Sequence, residues 1–268
     1  MTLPNKMLLI GCGNMGGAML DGWLAAAADP AIFTVLDPMI PSVPEGVRLT
    51  RTQPDEQFDV VLLGIKPQGL AEAAPAIEPI IGPDTVLLSL LAGVQLDTLA
   101  ERFPRAGGVV RVMPNLSAKL GKSPVALAGK GLSDAQKDTV KTLADMLGQG
   151  EWIGEDTFDL TTALAGSGPA FVYRFIDALG KAAASLGLPE EQANRLAVAT
   201  VDGATALAMR SEHSPGELAR RVASKGGVTQ AGLDTLDADD RLLKLMTDTL
   251  RDAAARSAEM SQEARAKG

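Results

Sequence analysis

Residues 6–16, Lys-Met-Leu-Leu-Ile-Gly-Cys-Gly-Asn-Met-Gly, restrict this chain more than any other stretch. A short apolar run reads as a buried strand, glycines follow at 11, 13 and 16, and Ala18, Met19, Trp23 and Leu24 then recur at helical spacing. In that setting each glycine has a physical task. Gly11 permits the tight turn off the strand, Gly13 lets backbone come close to a pyrophosphate, and Gly16 lets the helix pack close to the sheet. The helix start adds free N–H groups and the positive end of a dipole. The stretch is therefore a dinucleotide-binding fingerprint, with Gly11, Gly13, Asn14, Met15 and Gly16 as candidate contacts. A purely structural glycine turn is the competing reading, and the flanking strand and helix weigh against it.

A chain of 268 residues, 46% hydrophobic and 22% charged, can bury a large core in one domain or two. A net charge of −8 and the lack of any basic run argue against nucleic acid or an anionic membrane surface as partner. The single cysteine, Cys12, excludes an intrachain disulfide and a multi-cysteine metal site, so no metal is expected. No apolar run suits a signal peptide or a membrane span, and a cytoplasmic location is expected. The one histidine, His213, lies in the polar turn Ser-Glu-His-Ser-Pro-Gly, which reads as a solvated loop and leaves no histidine for a triad.

Further strands and their ends supply more candidates. Ile32 to Leu36 ends in Asp37, placed to accept hydrogen bonds from the adenosine ribose of NADH and to repel the extra phosphate of NADPH. The alternative is an Asp-Pro turn residue. Asp59 to Ile65 reads as a strand buried on both faces and leads into Lys66-Pro67, where the lysine stands beside a cofactor or is merely a charged loop residue. Thr85 to Leu90 leads into Ala92-Gly93, small enough for a nicotinamide ring to approach the backbone. Val109 to Met113 is closed by Pro114-Asn115, Ser123 to Ala128 reads as one more strand, and Trp152-Ile153 as a last short one. Leu96, Leu99, Ala100 and Phe103 mark a helix, and Ser133-Asp-Ala-Gln136 is a capping box. Strands alternating with helices give an α/β, Rossmann-type doubly wound parallel sheet over residues 1–155.

Residues 156–268 carry no strand pattern and read as an all-α domain. From Pro169 to Leu186 the polar residues Arg174, Asp177, Lys181 and Ser185 fall on one narrow stripe, and from Leu196 to Met209 only Thr200, Asp202 and Thr205 are polar. A domain of this size cannot bury two such helices alone, which points to a homodimer or larger assembly. Ser214-Pro215-Gly216-Glu217 starts another helix. Ser224-Lys225-Gly226-Gly227-Val228-Thr229 precedes helix-forming residues from Gln230 onward and suits a small carboxylate. In the alternative, Thr229 only caps its helix. The last helix presents Leu242, Leu245, Met246, Thr249, Leu250 and Ala253 on one face and is expected to fray after Met260.

Taken together, the segments Gly-Cys-Gly-Asn-Met-Gly at 11–16, Lys66-Pro67, Ala92-Gly93, Arg-Val-Met-Pro-Asn at 111–115, Ala-Gly-Ser-Gly-Pro-Ala at 165–170 and Ser-Lys-Gly-Gly-Val-Thr at 224–229 resemble pyrroline-5-carboxylate reductases over nearly the whole chain. The first is shared with many dehydrogenases, and the Met-Pro-Asn, Gly-Ser-Gly-Pro-Ala and Ser-x-Gly-Gly-x-Thr segments together are specific. The resemblance implies a Rossmann domain joined to an interlocking helical dimerisation domain, often with dimers forming a ring. It implies reduction of 1-pyrroline-5-carboxylate to L-proline by NADPH or NADH, the last step of proline biosynthesis. The active site would lie between the cofactor and loop 224–229, completed at the dimer interface. Ser224, Gly226, Gly227, Val228 and Thr229 would bind substrate, Thr229 would be catalytic at the ring nitrogen, and Met113, Pro114 and Asn115 would join the cofactor contacts. Two departures stand out. Lys225 replaces a frequent proline and brings charge near a carboxylate, and Val228 replaces a frequent threonine but keeps its N–H.

Three rivals are set aside or ranked lower. A short-chain dehydrogenase needs Tyr-x-x-x-Lys, and the only tyrosine, Tyr173, is followed four residues later by Asp177. A β-hydroxyacid dehydrogenase would carry a lysine and an asparagine one turn apart, whereas Lys181 is followed by Ser185. A non-catalytic sensor of the dinucleotide would bind cofactor without turnover.

Overall fold

Eight strands form one sheet in the order β3-β2-β1-β4-β5-β6-β7-β8, in a computed structural model that describes residues 3–267. The elements of the first half are β1 (Met7–Ile10), α1 (Asn14–Ala25), β2 (Phe33–Leu36), β3 (Arg48–Thr50), β4 (Val60–Leu63), α2 (Leu70–Ile77), β5 (Val86–Ser89), α3 (Leu96–Arg102), β6 (Gly108–Met113), β7 (Ser123–Lys130), α4 (Asp134–Met146) and β8 (Gly148–Trp152). Every neighbouring pair is parallel except β6 and β7. Only residues 114–122 separate those two, with a short 3-10 turn among them, and a parallel crossover needs a dozen residues or more. The expected parallel sheet is therefore mostly parallel, and β3 is a short edge strand that the hydrophobic pattern did not reveal.

Alternation along the strands builds a core on each face. Met7, Leu9, Phe33, Val35, Val60 and Leu62 point to one face and meet Met19, Leu20 and Trp23 of α1 and Val140 and Leu143 of α4. Leu8, Ile10, Val61, Leu63 and Leu87 point to the other and meet Leu70 and Ile77 of α2 and Leu96 and Leu99 of α3. Both faces are covered, as a parallel sheet requires. Trp23 is 1% exposed, stacks on Phe33 with ring centroids 5.5 Å apart, and donates its Nε1–H to the Leu143 carbonyl at 2.8 Å. The Ser133 capping box forms reciprocally with Gln136 at the start of α4.

The second half holds α5 (Phe158–Thr161), a π-helical turn (Thr162–Gly166), α6 (Gly168–Ser185), α7 (Glu190–Ala208), α8 (Pro215–Val222), α9 (Val228–Asp237) and α10 (Arg241–Lys267). The last helix continues through the segment expected to fray after Met260. Two compact units result: residues up to Ser167 together with those from Asp252 onward, and Gly168–Arg251. The expected division at 155/156 fell earlier because residues 156–167 lack strand pattern, yet they belong to the first unit. Phe158 is buried in its second core, and Asn115 Nδ2 donates to the Ala165 carbonyl at 2.9 Å. The last turns of α10 return to the same unit, where Ser257 Oγ donates to Asp159 at 2.7 Å and Ser261 is buried.

Within the unit Gly168–Arg251, α6 and α7 pack through small residues, with Gly180, Ala193 and Ala197 buried. The large side chains are bare: Val172, Tyr173, Phe175, Leu196, Leu207 and Leu243 are all exposed in the single chain. The polar stripe of α6 is an ion-pair ladder in which Asp177 accepts from Lys181 at 2.9 Å and Arg174 at 3.4 Å.

Replacing Trp23 with alanine removes a stacked ring and a buried hydrogen bond, and the expected loss of unfolding free energy is about 3–5 kcal/mol. Urea unfolding of the W23A variant measures it, with Trp23→Phe expected to recover most of the difference.

Candidate active site

β1, β2, β4, β5 and β6 run parallel, so the residues that follow them share the carboxyl edge of the sheet. The strand order reverses between β1 and β4, and the crevice of such a sheet opens there. Two glycines make that crossing possible. The Gly64 N–H donates to the Ile10 carbonyl at 2.8 Å, and a Cβ on Gly11 would stand 2.9 Å from the Gly64 carbonyl oxygen. A Cβ on Gly64 would collide with the Gly11 carbonyl, and Gly11 itself has φ +83°. Gly64 went unrecognised in the sequence because it sits inside an apolar run rather than in a glycine motif.

The loop that follows is open. A Cβ on Gly13 would meet nothing within 4 Å, whereas one on Gly16 would meet the Gly11 carbonyl oxygen at 3.0 Å. Helix α1 has no side-chain cap and no acid in its first turn, so its first N–H groups and its dipole face an unobstructed space. Gly13 and Asn14 are exposed, while Met15 packs against the first core. The chain's own residues thus fit the pyrophosphate of a dinucleotide. The Cys12 thiol beside them is pushed up to about 11 by burial and by the charges of Asp37 and Asp21, and it stays protonated at neutral pH.

Asp37, at the end of β2, is 8% exposed. One carboxylate oxygen accepts from the Cys12 amide at 2.8 Å, and the other from the amides of Met39 at 2.8 Å and Ile40 at 3.3 Å. Burial alone raises its pKa, but those three amides and the nearby Arg51 charge outweigh it and hold the carboxyl below its usual range.

The other strand ends divide into open and committed positions. Lys66 is exposed and opens a 3-10 turn whose first residue is Pro67. Ala92 is exposed, but Gly93 is buried, and a Cβ there would stand 2.8 Å from the carbonyl oxygen of Met260. The last turns of α10 are thus one reason for that glycine. Met113 is half-buried and Pro114 buried. Asn115 is used up internally. Its Oδ1 accepts from the amide and hydroxyl of Ser117, its own amide donates to Ser123 Oγ at 2.9 Å, and its Nδ2 holds Ala165. Asn115 therefore joins the Met-Pro-Asn segment to the Ala-Gly-Ser-Gly-Pro-Ala segment, a connection across 50 residues that spacing alone did not disclose.

In the second unit, Ser224–Gly227 forms a turn in which the Gly227 amide donates to the Ser224 carbonyl at 2.8 Å. Helix α9 starts at Val228, two residues before the expected Gln230, with Gly227 at its N-cap and no capping side chain. Thr229 lies inside the first turn rather than capping it. No acid occupies that turn, and Ser224, Lys225, Gly226 and Thr229 are exposed, with Val228 94% exposed. The N–H groups of this turn have no intrahelical partners, which suits a small carboxylate.

Pyrroline-5-carboxylate reductase 2 of Bacillus subtilis (strain 168) is 33% identical over 270 residues, covering 96% of each chain. The chain belongs to the pyrroline-5-carboxylate reductase family. A family model described as "Pyrroline-5-carboxylate reductase dimerisation" matches residues 155–260, and one described as "Ketopantoate reductase PanE/ApbA" matches residues 7–134. The solved pyrroline-5-carboxylate reductase of Coxiella burnetii superimposes with a TM-score of 0.90 at 29% identity, covering 97% of this chain and 99% of the other. A Plasmodium falciparum pyrroline carboxylate reductase with NADP bound shares the fold at a TM-score of 0.79 and 23% identity, covering 97% and 100%. The reductase family thus accounts for both halves, and the bare helical faces of the second unit coincide with its dimerisation region.

The depressed pKa of Asp37 makes stability acid-sensitive. The carboxylate contributes fully above its unfolded pKa of about 3.9, and the contribution is lost as pH falls through the lower folded value. Urea unfolding from neutral pH down to about 3 should show a steeper loss for the wild type than for Asp37→Asn, which already lacks the carboxylate.

Proposed function

We propose that this chain catalyses the reduction of 1-pyrroline-5-carboxylate to L-proline with a nicotinamide coenzyme, the last step of proline biosynthesis. The observation that carries the reading is the uncapped, acid-free helix start at Val228–Thr229 behind the Ser224–Gly227 turn, in a chain of this reductase family. Ser224 Oγ, the backbone of Gly226, Gly227 and Val228, and the charge of Lys225 receive the substrate carboxylate. The Thr229 hydroxyl meets the ring nitrogen and orients or relays its proton. When bound, the reduced nicotinamide supplies the hydride that C5 of the cyclic imine accepts, turning C=N into a C–N single bond. An imine nitrogen is basic enough to carry a proton before that transfer, so no strong protein acid is required. Placement and charge complementarity then supply most of the acceleration.

On the first unit, the amides opening α1 take the pyrophosphate, with Gly11, Gly13, Asn14, Met15 and Gly16 around it. Lys66, Pro67, Ala92, Met113 and Pro114 border the coenzyme, while Gly93 and Asn115 support that edge through the packing described above. The coenzyme is NADH or NADPH, and the choice between them turns on the residues just beyond β2, Asp37 among them. The protein works in the cytoplasm as a homodimer through its helical unit, with a ring of dimers as the larger assembly.

Oxidation of NADH and NADPH is measured with 1-pyrroline-5-carboxylate beside a panel of 2-oxo and 3-oxo acids. Turnover with the imine alone is expected. Tight coenzyme binding without imine turnover would overturn the reading in favour of an oxo-acid enzyme or a sensor. Replacing Thr229 with alanine should lower kcat on the order of 10²-fold without changing coenzyme affinity, and an unchanged kcat removes Thr229 from the mechanism.

Light scattering is expected to find a dimer or a multiple of it. Leu243→Glu, placing a charge at a residue that is 67% exposed on a bare apolar face of the single chain, should shift the protein toward monomer. A monomeric wild type at micromolar concentration contradicts the assembly.

A further inference from the structure

Coenzyme choice in a sheet of this kind is made just beyond the second strand, where an acid holds the ribose 2′-hydroxyl or an arginine accepts a 2′-phosphate. The chain has both residues there. β3 lies parallel to β2 with Thr50 opposite Leu36, so Arg51 emerges beside Asp37 at the carboxyl edge. Arg51 Nη1 donates to the Asp37 backbone carbonyl at 2.5 Å, and the Asp37 amide donates to the Thr50 carbonyl at 3.3 Å. The guanidinium is thus tethered at one N–H, its side chain is exposed, and among the described residues no carboxylate forms an ion pair with it. Arg48, at the opposite end of β3, is by contrast committed to Glu56 and Thr34.

The acid is in a different position. A carboxylate offers about four lone-pair sites, and the amides of Cys12, Met39 and Ile40 occupy three of Asp37's. Nearly buried, it retains one acceptor site at most for a ribose. Its charge is offset by those amides and by Arg51, which weakens its repulsion of a phosphate.

We infer that Arg51 selects the coenzyme by binding the 2′-phosphate of NADPH, and that Asp37 serves as the anchor of the glycine loop rather than as a selector for NADH. The inference rests on the reductase reading above and concerns only which dinucleotide is taken. A guanidinium suits the role, because it presents paired donors to phosphate oxygens while one N–H stays on the carbonyl.

Calorimetric titration of NADPH, NADH and adenosine 2′,5′-bisphosphate tests it without turnover. The wild type should bind NADPH more tightly than NADH. Arg51→Ala should weaken NADPH and the bisphosphate about tenfold to a hundredfold and leave NADH unchanged, with Arg51→Lys recovering part of the loss. Raising ionic strength from about 0.01 M to about 1 M, which shortens the screening length from ~30 Å to ~3 Å, should weaken NADPH more than NADH. Asp37→Asn should weaken both coenzymes alike. A wild type that prefers NADH, an Arg51→Ala effect equal for both coenzymes, or an Asp37→Asn variant that gains NADPH selectively overturns the assignment while leaving the reductase reading in place. Failure of the wild type to bind any of the three ligands overturns both.

Discussion

Backbone meeting backbone at the Gly11–Gly64 crossing is the constraint on which the first unit depends. β1 and β4 are hydrogen-bonded neighbours with the strand order reversing between them, and their outgoing loops leave in contact. A side chain at either glycine would force those loops apart. Separation would tilt the start of α1 and, with it, the amides offered to a pyrophosphate. It would also disturb the Cys12 amide that Asp37 holds from the β2 side. Three strand ends are thus mechanically coupled before any ligand arrives. Preformed loops of this kind limit the ordering cost that binding would otherwise incur.

The second unit follows a different logic. Helices α6 and α7 approach through small buried residues while keeping their large apolar side chains on the outside. A helix pair built this way leaves much of its apolar surface outside its own small contact, and a single chain gains little from burying so few large side chains. The same feature keeps the surface ion pairs around Asp177 from explaining stability, since exposed pairs contribute little. The bare faces lie in the stretch that matches the family's dimerisation region, where association would cover them.

Most of the architecture was readable because periodicity and glycine placement act locally. The apolar runs from Met7, Phe33, Val60 and Val86 became strands, and Ser133 became the cap it was expected to be. What escaped was set by distant contacts. β3 is too short and too polar to show a pattern, and residues 156–167 have no strand character yet belong with the sheet. Asn115 reads as one polar residue after a proline, but its four hydrogen bonds reach Ser117, Ser123 and Ala165. The end of α10 looked like a polar tail, whereas Gly93 leaves room for the backbone at Met260. Local chemistry signals a turn or a helix; it carries no record of what arrives from fifty or more residues away.

Asp37 shows the same limit acting on function rather than on fold. An acid after the second strand points to a ribose hydroxyl only if its lone pairs are free, and that condition depends both on the turn that follows it and on the backbone of another loop. The turn at Met39 and Ile40 and the loop at Cys12 both deliver amides to it. Each bond makes the carboxylate a better structural anchor and a poorer acceptor for a ligand, because one set of oxygens cannot serve both fully. The cation beside it follows the opposite course. Tethered by a single N–H to a backbone carbonyl, Arg51 keeps most of its donors. Hydrogen-bond accounting at the edge of the sheet therefore weighs against the assignment that residue type alone supports and favours the proposed role of the guanidinium.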